Sequence, residues 1–301
     1  MRSWVGMETY EPEIKVKKLS SLLFFLLLIV SVSILTQNFF SRSGNADEVH
    51  LMNNTSGDMS TVPLENISLT IAYDNNPYKE GLATAWGFSC LIEGTEKTIL
   101  FDTGGSSTIL LANMNKLGIN PKEIDLVVLS HIHGDHVGGL EGFLQQNKKV
   151  TVFFPASFPA RFKAYLAKSG VQPSVIQDPA LICKSVYSTG ELGMWIKEQS
   201  LIIYTDKGII LITGCAHPGI VKIVKAAKNL IGDDVLLVMG GFHLTGTSKP
   251  VIEEIISKIK KLGVRYVGPC HCSGDLARQL FKIEYGNRYI DVGVGRIIKF
   301  E

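Results

Sequence analysis

The 301-residue chain has no large excess of charge of either sign: 30 Lys and Arg stand against 28 Asp and Glu, a net charge of +2. That balance gives no basic field for nucleic acid and no acidic tail, so nucleic acid is not an expected partner. Cysteine is sparse and odd in number: Cys90, Cys183, Cys215, Cys270 and Cys272 are spread along the chain, unlike the dense even sets of small disulfide scaffolds. Phosphate-loop and dinucleotide-fold fingerprints are missing, so adenine nucleotides are not indicated as cofactors. There is also no low-complexity tract, and no repeat of about 20 to 50 residues, after Ile67. What is there is apolar, 46% hydrophobic and 9% aromatic, enough to bury the core of one or two domains.

One stretch has no charge at all. Between Lys18 and Arg42 every residue is uncharged, with LLFFLLLIVSVSIL from Leu22 to Leu35. Residues 19–41 are long enough to cross a bilayer as a helix, which takes about 20 residues. The expectation is a transmembrane anchor after a cytoplasmic segment, 1–18, with the folded body outside the cytoplasm. A cleaved secretory signal flanked by Lys15, Lys17 and Lys18 is the competing reading, and it would leave the body secreted. Residues 42–66 are polar, with Asn53 to Gly57 and Ser60 in close succession, and read as a linker.

From residue 67 to 301 strands and helices alternate as in one domain. Trp86 to Glu93 and Thr98 to Phe101 form a hairpin around Gly94 to Lys97, and Leu126 to Ser130 is a short buried strand. A second hairpin pairs Ser200 to Thr205 with Gly208 to Thr213. Then come a helix over Ile220 to Ile231, a strand Val235 to Met239, a helix Val251 to Leu262 and a strand Val264 to Val267. Val251, Ile255, Ile256, Ile259 and Leu262 make the apolar stripe of that last helix, and Gly263 stops it. The order predicts an α/β fold of mixed sheets covered by helices.

Six of the seven histidines follow these strands: His131, His133 and His136 after the first, then His217, His243 and His271. Loops at the carboxyl ends of strands gather on one edge of such folds, where ligands bind. Neutral imidazole suits zinc, iron, nickel or copper, and carboxylate extends the choice to manganese and magnesium. His131-Ile132-His133-Gly134-Asp135-His136 packs four donors into six residues, which only a loop can aim at one point.

That segment carries the HxHxDH pattern of the metallo-beta-lactamase superfamily, and Phe101-Asp102-Thr103-Gly104 resembles its early aspartate motif. Trp86 to Ser89, Thr213 to Gly219, Gly240 to Leu244 and Pro269 to Cys272 resemble, within it, the dihydropterin-ribofuranosylaminobenzene phosphate synthase-like branch. The resemblance implies an αββα sandwich behind the amino-terminal transmembrane helix, and two divalent metal ions, zinc first and manganese, magnesium or iron as alternatives. By the same resemblance His131, His133 and His217 hold one ion, and Asp135, His136 and His271 the other.

Two such ions share and activate a hydroxide, chemistry that suits phosphoester and diphosphate substrates. Asp135 and His243 are the candidate catalytic residues, with His243 reaching substrate, moving a proton or binding metal. Better-known members carry a bridging aspartate where this chain has Cys215, which either ligates metal or packs behind the site. Asp102 is expected to orient the histidine loop. Cys270 and Cys272 are set aside, because neighbours in an extended segment point to opposite sides.

The expected function is a metal-dependent hydrolase of a phosphoester or diphosphate-containing small molecule. The alternatives are a synthase-type transferase, joining a dihydropterin diphosphate to a ribofuranosylaminobenzene phosphate, and an anchored module that binds metal or metabolite without turnover.

Overall fold

The computed structural model of the protein describes residues 59–300. Two sheets face each other. The first has seven strands in the order β13-β1-β2-β3-β4-β5-β6: β1 (Ser68–Asp74), β2 (Phe88–Glu93), β3 (Ile99–Phe101), β4 (Leu126–Val128), β5 (Thr151–Pro155), β6 (Gln172–Ile176) and β13 (Ile297–Lys299). The second has six, β12-β11-β10-β9-β8-β7: β7 (Ala180–Cys183), β8 (Val186–Ser188), β9 (Leu201–Thr205), β10 (Gly208–Thr213), β11 (Val235–Gly241) and β12 (Tyr266–Cys270). Hairpin-linked strands pair antiparallel, whereas β3-β4-β5-β6 and β10-β11-β12 pair parallel through helical crossovers.

Strand composition explains the layering. Along β10, Ile210 and Ile212 enter the core between the sheets, while Ile209 and Leu211 turn to the outer helices. A strand buried on both faces must be apolar at every position, and β10 is GIILIT. The outer layer of the first sheet is α1 (Ser107–Leu117), α2 (Gly134–Val137), α3 (Leu140–Gln146) and α4 (Ala160–Ser169). Leu110, Met114, Phe143 and Leu166 from these helices pack on Leu100, Val127 and Val152. The second sheet is covered by α5 (Ile220–Ile231), α6 (Lys249–Lys261) and α7 (Asp275–Tyr285), through Ile223, Ile256, Ile259 and Phe281.

The αββα sandwich expected from the sequence is present, and so are the hairpins and α5. The transmembrane part of that expectation is corrected. Among the described residues no helix is long and apolar enough to cross a membrane. The segment 19–41 and the cytoplasmic segment 1–18 lie outside the described residues, as does most of the stretch read as linker. The last residues of that stretch touch the second sheet, where Val62 bridges Thr205 and the Leu64 amide donates to Asp206 Oδ1 at 2.9 Å.

The stripe of α6 departs from expectation at its first residue, while Ile255, Ile256, Ile259 and Leu262 pack on the core as expected. Ile252, Ile256 and Ile259 face the sheet, while Val251 is 45% exposed. The adjacent apolar pair Val251 and Ile252 allows either face, and packing on the core of the second sheet selects Ile252. All five cysteines are buried and unpaired.

Candidate metal centre

The chain reverses sharply where strands meet one edge of the sandwich. Among the described residues five other than glycine have left-handed backbone, and four of them sit at strand ends here: Asp102 (φ 55) after β3, Ala216 (φ 59) after β10, His243 (φ 52) after β11 and His271 (φ 47) after β12. Such conformations are uncommon for residues with a Cβ and cluster at functional sites. They bring both sheets' loops to one point.

The first donor group is His131, His133 and His217. His131 Nε2 lies 3.0 Å from His133 Nδ1, which lies 3.2 Å from His217 Nε2. Proton placement at His131 follows from its neighbours. Ser130 Oγ gives its single proton to Asp102 Oδ2 (2.7 Å), so toward His131 it can only accept. The proton of His131 is therefore on Nδ1, bonded to Ser130 at 2.9 Å, and its Nε2 lone pair faces the other two rings. Burial and the surrounding imidazoles push His131 far below the usual histidine range, and burial together with His243 holds His217 down at about 4.

The second group is Asp135, His136, Cys215 and His271. His136 Nδ1 donates to Asp102 Oδ2 at 2.7 Å, leaving its Nε2 3.1 Å from Cys215 Sγ and 3.6 Å from Asp135 Oδ2. Burial opposes a charge on His136, but Asp102 outweighs it and raises the pKa. His271 Nδ1 donates to Asn75 Oδ1 at 2.9 Å, and Asn75 Nδ2 returns a bond to the His271 carbonyl. His271 Nε2 is thus a buried lone pair with no hydrogen-bond partner, 3.2 Å from Asp135 Oδ2. Burial works against the Asp135 charge, yet its histidine neighbours prevail and hold the carboxyl well below its ordinary range. Two lone pairs that close repel unless a cation stands between them, and the donor set fits a divalent ion.

Cys215 is shared with a third group, Cys215, His217 and His243. His243 is exposed, its ring 4.3 Å from that of His217. Neither Cys270 nor Cys272 belongs to a donor group among the described residues, but the segment is not extended as expected. His271 begins a 3-10 turn, so Cys270 is directed to Asp74 and Cys272 to the opposite side, where it bonds with Cys215 and His243. That contact holds the Cys272 thiol down and the Cys215 thiol up. Trp86, 54% exposed, stands over His271 with ring centroids 5.0 Å apart.

Two residues escaped the sequence reading. Glu198 is 1% exposed. Its Oε1 accepts the amides of Gly214 (3.1 Å), Cys215 (2.9 Å) and Ala216 (2.9 Å), and its Oε2 that of His217 (2.8 Å). Burial nonetheless raises its pKa. One carboxylate therefore fixes the whole loop that delivers Cys215 and His217. Asn75, at the end of β1, fixes the His271 tautomer across the sheets. A glutamate at the end of a short hairpin and an asparagine after a strand carry no periodicity to mark them. Gly214 is a position at this edge where a close approach is required: a Cβ there would overlap Ser130 Oγ.

Comparison with known proteins agrees with this geometry. The sequence model of the metallo-beta-lactamase superfamily matches residues 87–248. The 7,8-dihydropterin-6-methyl-4-(beta-D-ribofuranosyl)-aminobenzene-5'-phosphate synthase of Methanocaldococcus jannaschii is 33% identical over 292 residues, covering 80% of this chain and 99% of the relative. An uncharacterized protein of the same organism is 32% identical over 263 residues, covering 76% and 99%. Among solved structures, a metal-dependent hydrolase of the beta-lactamase superfamily superposes with a TM-score of 0.65 at 27% identity, over 78% of this chain and 99% of that one.

Proposed function

Because this chain belongs to the metallo-beta-lactamase superfamily, we propose that its histidine-rich edge is a two-metal active centre that cleaves or transfers at a phosphoester or diphosphate group of a small molecule. The observation that carries the reading is the buried, unpartnered Nε2 of His271 facing Asp135 Oδ2, beside two histidines whose other nitrogens are already committed. His131, His133 and His217 would hold one ion, and Asp135, His136 and His271 the other. Cys215 lies within reach of both groups. Its thiol is held up by Cys272 and burial, and a soft divalent ion reverses that, since a coordinating thiol is deprotonated outright. The imidazole and thiolate set favours zinc.

When bound, such ions lower the pKa of a water and offset charge gathering on an attacked or leaving oxygen. The chain's own residues do the rest. Asp102 and Asn75 keep the His136 and His271 lone pairs aimed inward. Glu198 holds the Cys215–His217 backbone. His243, exposed at the mouth, holds a proton for the oxygen that leaves. Three protein donors in the first group leave a coordination position open, which suits an enzyme better than a closed structural site.

The test is turnover of bis(p-nitrophenyl) phosphate by the full chain. Activity should disappear with chelator, return with zinc or manganese and be lost in His133→Ala. Absence of turnover in protein carrying two metals per chain would sink the hydrolytic reading. A transferase reading is favoured by the synthase relative, 33% identical over most of this chain. It predicts that product and free diphosphate appear only when a ribofuranosylaminobenzene phosphate acceptor is added to a dihydropterin diphosphate donor.

A further inference from the structure

A cleft of about 530 Å³ opens beside the metal centre, and no step above uses it. Its near wall is His217 and His243. Its floor and flanks are apolar, from Phe242 and Leu244 after β11, Ile220 and Val221 at the start of α5, and Ile255 of α6. Lys222 and Lys225 stand at its rim one turn apart on the same face of α5, both exposed. Neither pairs with an acid among the described residues, whereas Lys228, one turn further on, is held by Asp234 at 2.7 Å.

The apolar character continues outside the cleft. Leu192 and Glu198 exchange backbone hydrogen bonds at 2.9 Å, closing a short hairpin, and a Cβ built on its Gly193 would lie 3.4 Å from Pro218 Cγ, a residue of the cleft wall. The tip of that hairpin carries Met194 and Trp195, 84% and 97% exposed.

We propose that this cleft is the specificity subsite for the substrate: it takes a flat aromatic or heteroaromatic body carrying an anionic group that pairs with Lys222 and Lys225, while the reacting group lies at His217 and His243. The inference rests on the active-centre reading above and gives it a substrate class. The volume lies within the roughly 300–1,000 Å³ typical of small-molecule sites. An apolar floor with a few placed charges orients a ligand, and the two lysines select its sign. Simple alkyl phosphoesters fill none of this surface and are expected to be poor substrates.

Three probes separate the elements of the proposal on the zinc-loaded full chain: naphthalene-2-sulfonate (ring and anion), methanesulfonate (anion alone) and 2-naphthylmethylammonium (ring and cation). By calorimetric titration the first should bind about tenfold tighter than either of the others. Lys222→Glu/Lys225→Glu, on an exposed helix face, should reverse the order of the two naphthyl probes. Val221→Trp should fill the cleft and weaken the first probe about tenfold. Naphthalene-2-sulfonate should also inhibit phosphodiester turnover competitively. Equal affinity for all three probes, an unchanged order in the double variant, or non-competitive inhibition overturns the proposal. His133→Ala should keep probe binding and lose turnover. A protein that turns over nothing therefore defeats the reaction, while the titrations still decide the cleft.

Discussion

Glu198 Oε2 accepts the backbone N–H of His217 at 2.8 Å, and its Oε1 takes the three amides before it. In Glu198→Gln the amide oxygen can keep those three, but the amide nitrogen then faces the His217 N–H, donor against donor. A buried donor left unpaired costs about 1–3 kcal/mol. The variant is expected to unfold at correspondingly lower urea concentration and to bind its metal at His131, His133 and His217 less tightly, measured by metal titration. Full retention of both would show that the loop holds itself.

Asp102→Asn tests the proton arrangement. The carboxylate accepts from Ser130 Oγ and His136 Nδ1 through the same oxygen. An amide nitrogen there drives His136 toward the tautomer with its proton on Nε2, pointing at Cys215 and Asp135. Outer partners of this kind are worth about 10–100-fold in metal affinity. Competition with a chromogenic chelator should find that loss at the second donor group and a smaller one at the first.

Gly214→Ala puts a methyl group against Ser130 Oγ. Overpacking of this kind costs about 1–3 kcal/mol. Adding Ser130→Ala removes the nearest obstructing atom, Oγ, while the Cβ at 2.7 Å stays. The pair should therefore destabilise by less than the sum of the single changes in urea denaturation, the signature of direct contact.

Chelation should lower thermal stability. An ion present at a hundredfold over its dissociation constant stabilises the folded state by about 2.7 kcal/mol. For a domain of this size that corresponds to a melting temperature lower by about 5–10 °C without metal. The double variant His131→Ala/His271→Ala should melt at one temperature with or without chelator.

Much of this architecture is legible in the residues because it is local. Thr213 follows an unbroken apolar run, and a run buried on both faces must be a central strand. His131 to His136 lie so close in sequence that one loop has to gather them. The anchor expected over 19–41 rested on apolar length and a basic flank, and among the described residues, which begin after that segment, no helix is long and apolar enough to cross a membrane. Glu198 and Asn75 were illegible for the opposite reason. Each acts on backbone or side chains brought to it from elsewhere, Asn75 from 196 positions away, and nothing in a window of sequence records that meeting. The α6 stripe was misread at its first residue because Val251 and Ile252 are both apolar and only the fold distinguishes them. The turn at His271 was read as extended because a left-handed histidine has no signature in composition.

The left-handed backbone at Asp102, Ala216, His243 and His271 bears on how this protein can change over time. Each such residue costs about 1–2 kcal/mol relative to an ordinary conformation. β-Branched side chains are nearly barred from these positions, while glycine, asparagine and aspartate are admitted. Ala216 has no donor atom to keep, so glycine there should make the domain sturdier, whereas the same relief at His243 or His271 removes an imidazole. The corner of the molecule that holds its chemistry is thus also where heat or drift should first loosen it, and where a more robust descendant would have the fewest substitutions open to it.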